Sequence, residues 1–296
     1  MRAPGLFLPF VAVAGAGMFG VVTLQQAGAQ QASAPSQQNG GAGAAAENNG
    51  QDFTRPLSLF QVRGEYRTAP GSGSEPGSIR TVSTEETILR SDLKFDLAPQ
   101  WTLALRGDLP FVGKDPITSS DPSGEFVDGL GDADLQAALI KTINARWAAG
   151  AGIRVVTPTG APDITSGKWQ ALPIVGARVM LPELSDGSFF TGLVRYDVSF
   201  AGDPSKRNIS NLQIAPTLNI NLPQHWFITF YPNPDIRINY GDPVTGQTGR
   251  LFLPMDFLIG RDLTKTITVS LEIGVPLIRD YPVYDFKAVT RLNVKF

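Results

Sequence analysis

From Leu89 to Leu97 the chain places an ionic side chain at nearly every second position. Arg90, Asp92, Lys94 and Asp96 share one face of a strand; Leu89, Leu93, Phe95 and Leu97 share the other. Four ionic groups in a row on one face cannot pack on an apolar core, because burying an unpaired charge is costly. They fit a wall with water on one side and hydrocarbon on the other, as in a transmembrane β-barrel. The last stretch repeats the pattern. Tyr284, Phe286, Ala288, Leu292, Val294 and Phe296 alternate with Asp285, Lys287, Arg291, Asn293 and Lys295. The apolar set, Tyr284 included, is assigned to the outer face and the ionic set to the lumen. The partner expected to close the sheet is the stretch Leu57–Arg67, running antiparallel.

Between these stretches a period of two recurs from Arg55 onward. Phe60, Val62 and Tyr66 oppose Gln61, Arg63, Glu65 and Arg67. Trp101, Leu103, Leu105, Leu109 and Phe111 oppose Thr102, Arg106 and Asp108, and Val112–Leu130 is expected to be a long polar connection. Later strands cover residues 133–139, 147–155, 169–181, 190–200, 211–220, 226–240, 251–259 and 267–277, with 169–181 alternating least cleanly. Pro232 and Pro234 interrupt the ninth strand, and proline lacks the N–H that a ladder needs, so a bulge or local edge is expected there. The count is about twelve strands, each long enough for a tilted crossing. Turns near Ala98, Asn144, Pro182, Pro223 and Asp262 are short, and most connections at the opposite end are longer. That asymmetry places the short turns on the periplasmic side. Trp101, Trp147 and Trp226 each follow such a turn and are expected to form an aromatic girdle at one membrane interface.

The N-terminus has a different composition. Arg2, the apolar run Leu6–Leu24 and the small-x-small site Ala27-Gly28-Ala29 read as a signal peptide over residues 1–29, with an uncleaved anchor as the alternative. Residues 30–52 are rich in Gln, Ala, Gly, Asn and Ser, have little apolar bulk, and are expected to be a disordered periplasmic segment. The barrel is assigned to residues 53–296.

Catalysis finds little material. With no cysteine and one histidine, thiol chemistry is excluded, and no transition-metal site or other cofactor is expected. His225 falls in a predicted turn on the periplasmic side, far from where a lipid hydrolase at the outer leaflet would need its base. The chain is therefore read as a non-enzyme. Asp115, Asp121, Glu125, Asp128, Asp132 and Asp134 cluster around the longest loop; oxygen ligands at that density could hold calcium, but their spacing matches no EF-hand. A net charge of −2 gives no pull toward nucleic acid.

The chemistry that remains is the inward ionic face. Arg63, Arg90, Asp92, Lys94, Asp96, Arg106, Asp108, Asp134, Arg154, Arg195, Asp197, Asp235, Arg237, Glu272, Lys287 and Arg291 are predicted to line the lumen, joined by Arg178 and Asp256. Such a set can select solutes in an open pore, or knit itself into a plug of salt bridges. The pattern of residues allows either.

Three short stretches carry a family resemblance. They are Gly129-Leu130-Gly131-Asp132-Ala133-Asp134, then Thr157-Pro158-Thr159-Gly160, then Gly167-Lys168-Trp169-Gln170 followed by Pro173. In this order they resemble the outer-membrane barrels catalogued as meta-pathway phenol-degradation proteins, also labelled transporters, over residues 55–296. The resemblance implies a monomer in the outer membrane of a Gram-negative bacterium. It implies outer-membrane lipid, the barrel-assembly machinery and a small-molecule solute as partners, with Phe296 as part of the insertion signal. The function expected is a channel passing small solutes, hydrophobic or aromatic, by diffusion. The alternative is a closed structural or adhesive barrel.

Overall fold

A computed structural model describes residues 48–68, 83–115, 126–244 and 246–296. The expected signal peptide and residues 30–47 of the expected disordered segment lie outside the described residues.

The strands are β1 (Leu59–Thr68), β2 (Ser83–Ala98), β3 (Trp101–Lys114), β4 (Val127–Leu130), β5 (Asp134–Thr142), β6 (Trp147–Val156) and β7 (Lys168–Met180). They continue with β8 (Phe189–Gly202), β9 (Ser210–Asn221), β10 (Trp226–Phe230), β11 (Ile236–Asn239), β12 (Leu251–Asp262), β13 (Ile267–Arg279) and β14 (Phe286–Lys295). Each wall strand runs antiparallel to its neighbours in sequence, and β14 returns to β1, with Phe60 opposite Val294 and Thr68 opposite Phe286. The sheet is thus a closed up-and-down barrel with no open edge, the condition for crossing hydrocarbon with strands. It has twelve crossings, because β4 and β5 pair in turn with β3 as two parts of one crossing, and β10 and β11 are two halves of another.

One face of the long strands is exposed and largely apolar: Phe60 and Val62 on β1, Phe95 and Leu97 on β2, Leu271 and Ile273 on β13, Leu292 and Val294 on β14. The alternate face points inward and is largely polar, with Gln61, Arg90, Asp108, Asn211, Gln213, Asn219 and Asn293 all buried. Such an inside-out distribution suits a wall between lipid and a polar lumen. Short connections gather at one end, with Lys295, Leu59 and the first residues of β3, β6 and β10; this is called the turn end below, and the opposite one the loop end.

Several elements depart from the alternation pattern. β7 alternates cleanly between inward Lys168, Gln170, Leu172, Ile174, Gly176 and Arg178 and outward residues. It looked irregular in sequence because Leu172 and Ile174 are apolar yet face the lumen. Val112–Leu130 is not wholly a loop: β3 continues to Lys114, and β4 pairs with it, Phe111 facing Leu130. Tyr284 is not on the outer face. It precedes β14, turns inward and is buried with Tyr281 and Phe252, its hydroxyl donating to the Asp256 carboxylate at 2.8 Å.

The proline break is larger than a single-residue bulge. On β9, three residues (215–217) separate the pairings of Ile214 and Leu218; on the facing segment, five residues (231–235) lie between Phe230 and Ile236. The excess folds into the lumen. Tyr231 takes a left-handed φ of 49°, its N–H donates to the Asp256 carbonyl, and its own carbonyl accepts the Thr217 hydroxyl at 2.7 Å. The break carries Asn233 and Asp235 inward.

The boundary of the N-terminal segment also moves. Residues 48–52, assigned in sequence to the disordered segment, are folded inside the barrel, with Asn49 and Asp52 buried.

Candidate functional site

The site is the lumen, built from three parts. The first is a strap, residues 48–57, laid across the turn end. Asp52 anchors it. Its carboxylate accepts the Thr54 N–H at 2.9 Å, the Thr54 hydroxyl at 2.7 Å, the Arg55 Nε at 2.8 Å and Nη1 of Arg178 on β7 at 3.1 Å. Asn49 donates to Asn219 at 3.0 Å and to Asn221 at 3.3 Å, both on β9. Lys295 Nζ donates to the Asn48 carbonyl at 3.0 Å. Phe53 lies on a flat patch of wall where Gly150 and Gly176 are cross-strand partners. A Cβ at Gly176 would stand 2.7 Å from the Phe53 ring, and one at Gly150 would stand 3.3 Å away, so glycine is what lets the ring reach the wall.

The second part is a basic wall running from β1 to β11. Its arginines differ in how fully they are neutralised. Arg90 makes a two-point pair with Asp108 (2.7 and 2.6 Å), and Arg106 does the same with Asp92 (2.6 and 2.9 Å). Such fork-to-carboxylate pairs satisfy both charges. Arg154 instead bonds the Gln136 amide oxygen and stands 3.5 Å from Asp134. Among the described residues Arg195 is hydrogen-bonded only to the Gln213 amide oxygen, at 2.7 Å through Nε. Arg237 reaches Asp235 at 3.3 Å, and Arg63 reaches Glu65 at 3.8 Å. Arg195, Gln213 and Arg237 are level with one another across β8, β9 and β11.

The third part is an acidic cluster that adjoins the basic wall at β11 and continues to β13. Asp235, carried in by the proline break, meets Asp256 of β12 and Glu272 of β13, and carboxylate oxygens of all three lie within 4.8 Å of one another. The cluster already has its cation. Lys287 of β14, 2% exposed, places Nζ against Asp235, 2.5 Å from Glu272 and 3.3 Å from Asp256. Arg291 pairs with Glu272, and Asn233 donates to both Glu272 oxygens at 3.0 and 2.9 Å. Gly274, opposite Lys287, leaves room for this: a Cβ there would stand 2.9 Å from Lys287 Cε and from the Tyr284 hydroxyl.

Between these parts lies a cavity of about 290 Å³. Residues 50–53 and 55–57 of the strap form its floor at the turn end. Among the described residues its wall carries ten basic and five acidic side chains, so its local charge is positive. Apolar groups share the wall, among them Phe53, Leu59, Ala138, Ile174 and Leu193.

Most of the residues picked out in sequence as lumen-lining face inward here. Arg63, Arg90, Asp92, Arg106, Arg154, Arg195, Asp235, Arg237, Lys287 and Arg291 border the cavity, whereas Asp108, Asp134, Asp197 and Glu272 stand on the inward face outside it. Lys94 and Asp96 are at the exposed turn-end rim, 3.1 Å from each other. Trp101, Trp147 and Trp226 are exposed on the outer face at the turn end, opening β3, β6 and β10. Lys141 lies over the Trp101 ring and Arg261 over that of Trp226, each at 5.3 Å. Phe296 points outward and its N–H donates to the Ser58 carbonyl at 3.0 Å. His225 is in the turn Pro223–His225 at the turn end.

Of the acidic loop residues, Asp121 and Glu125 lie outside the described residues. Asp132 is taken up by the fold, accepting from Gly160 N–H (3.0 Å), the Thr165 hydroxyl (2.6 Å), and the N–H and hydroxyl of Ser166 (2.8 and 2.6 Å). It thereby clamps the β6–β7 loop to the Gly131 turn.

Sequence reasoning missed the strap residues Asn49, Asp52, Phe53 and Arg55. The inward glycines at 150 and 176 are a trace of the strap in the wall: two small residues sit where a lumen lining ordinarily carries side chains.

No protein-family model matches the sequence, and no curated protein matches it. Among solved structures the chain is similar to an outer-membrane channel from Pseudomonas putida F1, with 16% identity and a TM-score of 0.64 over 81% of this chain and 96% of that one. It is also similar to the NanC porin (13% identity, TM-score 0.46, 80% and 98% covered). A further match is the translocator domain of the autotransporter NalP from Neisseria meningitidis (11% identity, TM-score 0.45, 84% and 91% covered). The first of these shows the fold, a closed outer-membrane-type β-barrel.

Proposed function

We propose that this protein is an outer-membrane channel for small solutes in a Gram-negative bacterium, acting as a monomer and by diffusion. The observation that carries the reading is the cavity of about 290 Å³ inside a closed barrel, lined by charged groups and bounded by the strap. A barrel wall needs no lumen cavity to be stable, and side chains alone can fill a narrow one. Here several arginines reach into free volume with only part of their hydrogen-bonding capacity used. Outer-membrane lipid meets the apolar face, with the turn end and its tryptophans toward the periplasm.

The reading extends to solutes with an aromatic ring, for which the Phe53 and Ile174 side of the cavity offers an apolar surface. No catalytic role is assigned. The inward charges are engaged in pairs and amide contacts, and His225 sits in a turn away from them.

A second reading, a closed structural barrel, is favoured by one observation: the strap is tied to three strands and lies across the turn end. Single-channel recording of the full-length protein in planar bilayers separates the two. Discrete, stable conductance steps are expected of the channel; a folded barrel that stays silent across the accessible voltages would establish the closed one.

A further inference from the structure

We infer that the lumen cavity is a binding site for a small organic carboxylate with an apolar body. The inference deepens the channel reading above and rests on it for the solute's passage, but not for its binding.

Charge comes first. Arg154, Arg195 and Arg237 face the cavity without the two-point carboxylate pairing that neutralises Arg90 and Arg106. Arg195 has only an amide for a partner, through Nε, and its terminal nitrogens make no protein hydrogen bond among the described residues. Arg237 has a buried Nε with no partner and shares Asp235 with Lys287. Because Arg195 and Arg237 flank Gln213 at one level, their guanidinium groups are supplied side by side from β8 and β11. Gln213 holds Arg195 in place without cancelling its charge. The nearby acids leave these groups only partly answered: Asp197 accepts from the Gln213 amide at 3.3 Å, and Asp134 meets Arg154 at a single 3.5 Å contact from outside the cavity wall. A guanidinium with free N–H groups in a partly dehydrated space is matched in geometry by a carboxylate.

Shape comes second. Ile174 is the cross-strand partner of Arg195, and with Leu193 and the strap's Phe53 it gives the cavity an apolar side beside the arginines. The volume is at the lower end of small-ligand pockets. A dicarboxylate sugar acid would leave the apolar side uncovered, and a hydrocarbon would leave the arginines unanswered. A single ring or short alkyl chain carrying one carboxylate answers both.

The test uses three probes that share a phenyl ring and differ in the polar group it carries, anionic, neutral or cationic: benzoate, benzyl alcohol and benzylamine. Binding to the full-length protein in detergent is measured by titration calorimetry. Benzoate is expected to bind at least tenfold more tightly than benzyl alcohol, and benzylamine not at all. Arg195→Gln is expected to weaken benzoate about tenfold with little effect on benzyl alcohol, and Arg195→Lys to restore part of the loss. Heat-modifiable gel mobility reports whether each variant is folded, and the comparison of probes on the unaltered protein does not depend on any variant. Equal affinity for benzoate and benzyl alcohol, preference for benzylamine, or no binding of benzoate would each overturn the inference. Bilayer recordings tell its failure from that of the channel: benzoate binding by a silent barrel keeps the site and removes the channel. Conductance with no benzoate binding does the reverse.

Discussion

Lys287 shows how much one side chain can hold together in a lumen. Its ammonium sits among Asp235, Asp256 and Glu272, from three separate strands or breaks, and all four side chains are buried. Removing one partner from a buried ionic cluster strands the rest, which costs about 3–5 kcal/mol. Lys287→Met is therefore expected to lower the stability of the folded barrel by that order, read as a shift in the urea midpoint of folding into lipid vesicles. Lys94→Met, at the exposed rim beside Asp96, is expected to change it by less than about 1 kcal/mol. Gly176 makes the opposite point, since its worth lies in what it lacks. Gly176→Val is expected to lift Phe53 from the wall and expose the strap, so that limited chymotrypsin digestion cuts after Phe53 while the barrel itself stays resistant.

At the scale of elements, the strands were legible where their two faces differ in chemistry. β2 and β14 could be read directly, including the inward placing of Lys287 and Arg291, because charge and hydrocarbon alternate through most of each strand, despite the inward Ile88 and Val289. β7 was harder, since Leu172 and Ile174 line the lumen and erase the contrast that the period depends on. The break between β10 and β11 was signalled by Pro232 and Pro234, but its consequence was not. That Asp235 would be carried to Lys287 depends on strands distant in sequence. The strap was illegible for the same reason. Its residues have the composition of a linker, and its order comes from partners such as Arg178 and Asn219, 126 and 170 residues away. A short segment held mainly by a few polar anchors should be separable from the wall. Deletion of residues 48–57 is expected to leave a heat-modifiable barrel and raise single-channel conductance severalfold; an unchanged conductance would show that the strap does not limit passage.

Across the whole molecule, the charges are sorted by side. Under-neutralised arginines face the cavity from β6, β8 and β11, and the acidic cluster with its own cation occupies the wall at β11 to β13. A passing ion thus meets a field directed across the pore. The arginine side is the one in contact with free volume, so reversal potentials in a salt gradient are expected to favour chloride over potassium. That preference should shrink on Arg195→Gln and at high ionic strength, where charges are screened beyond about one Debye length.

The seam between β1 and β14 sets Arg63 directly opposite Arg291 and Arg67 opposite Lys287. Like charges facing each other across a ladder oppose its formation. Their relief comes from elsewhere: Glu65 and Glu86 for Arg67, Glu272 for Arg291, and Asp235, Asp256 and Glu272 for Lys287. The joint therefore resists closing until β2 and the stretch from β11 to β13 have arrived, which gives the barrel a chronology. The order expected is hairpins first and the circle last, closed by strands that repel each other until the acids are in place. Assembly into vesicles should then run faster at moderate salt than at low salt, with the gain lost when Arg63 and Arg67 are replaced by glutamine.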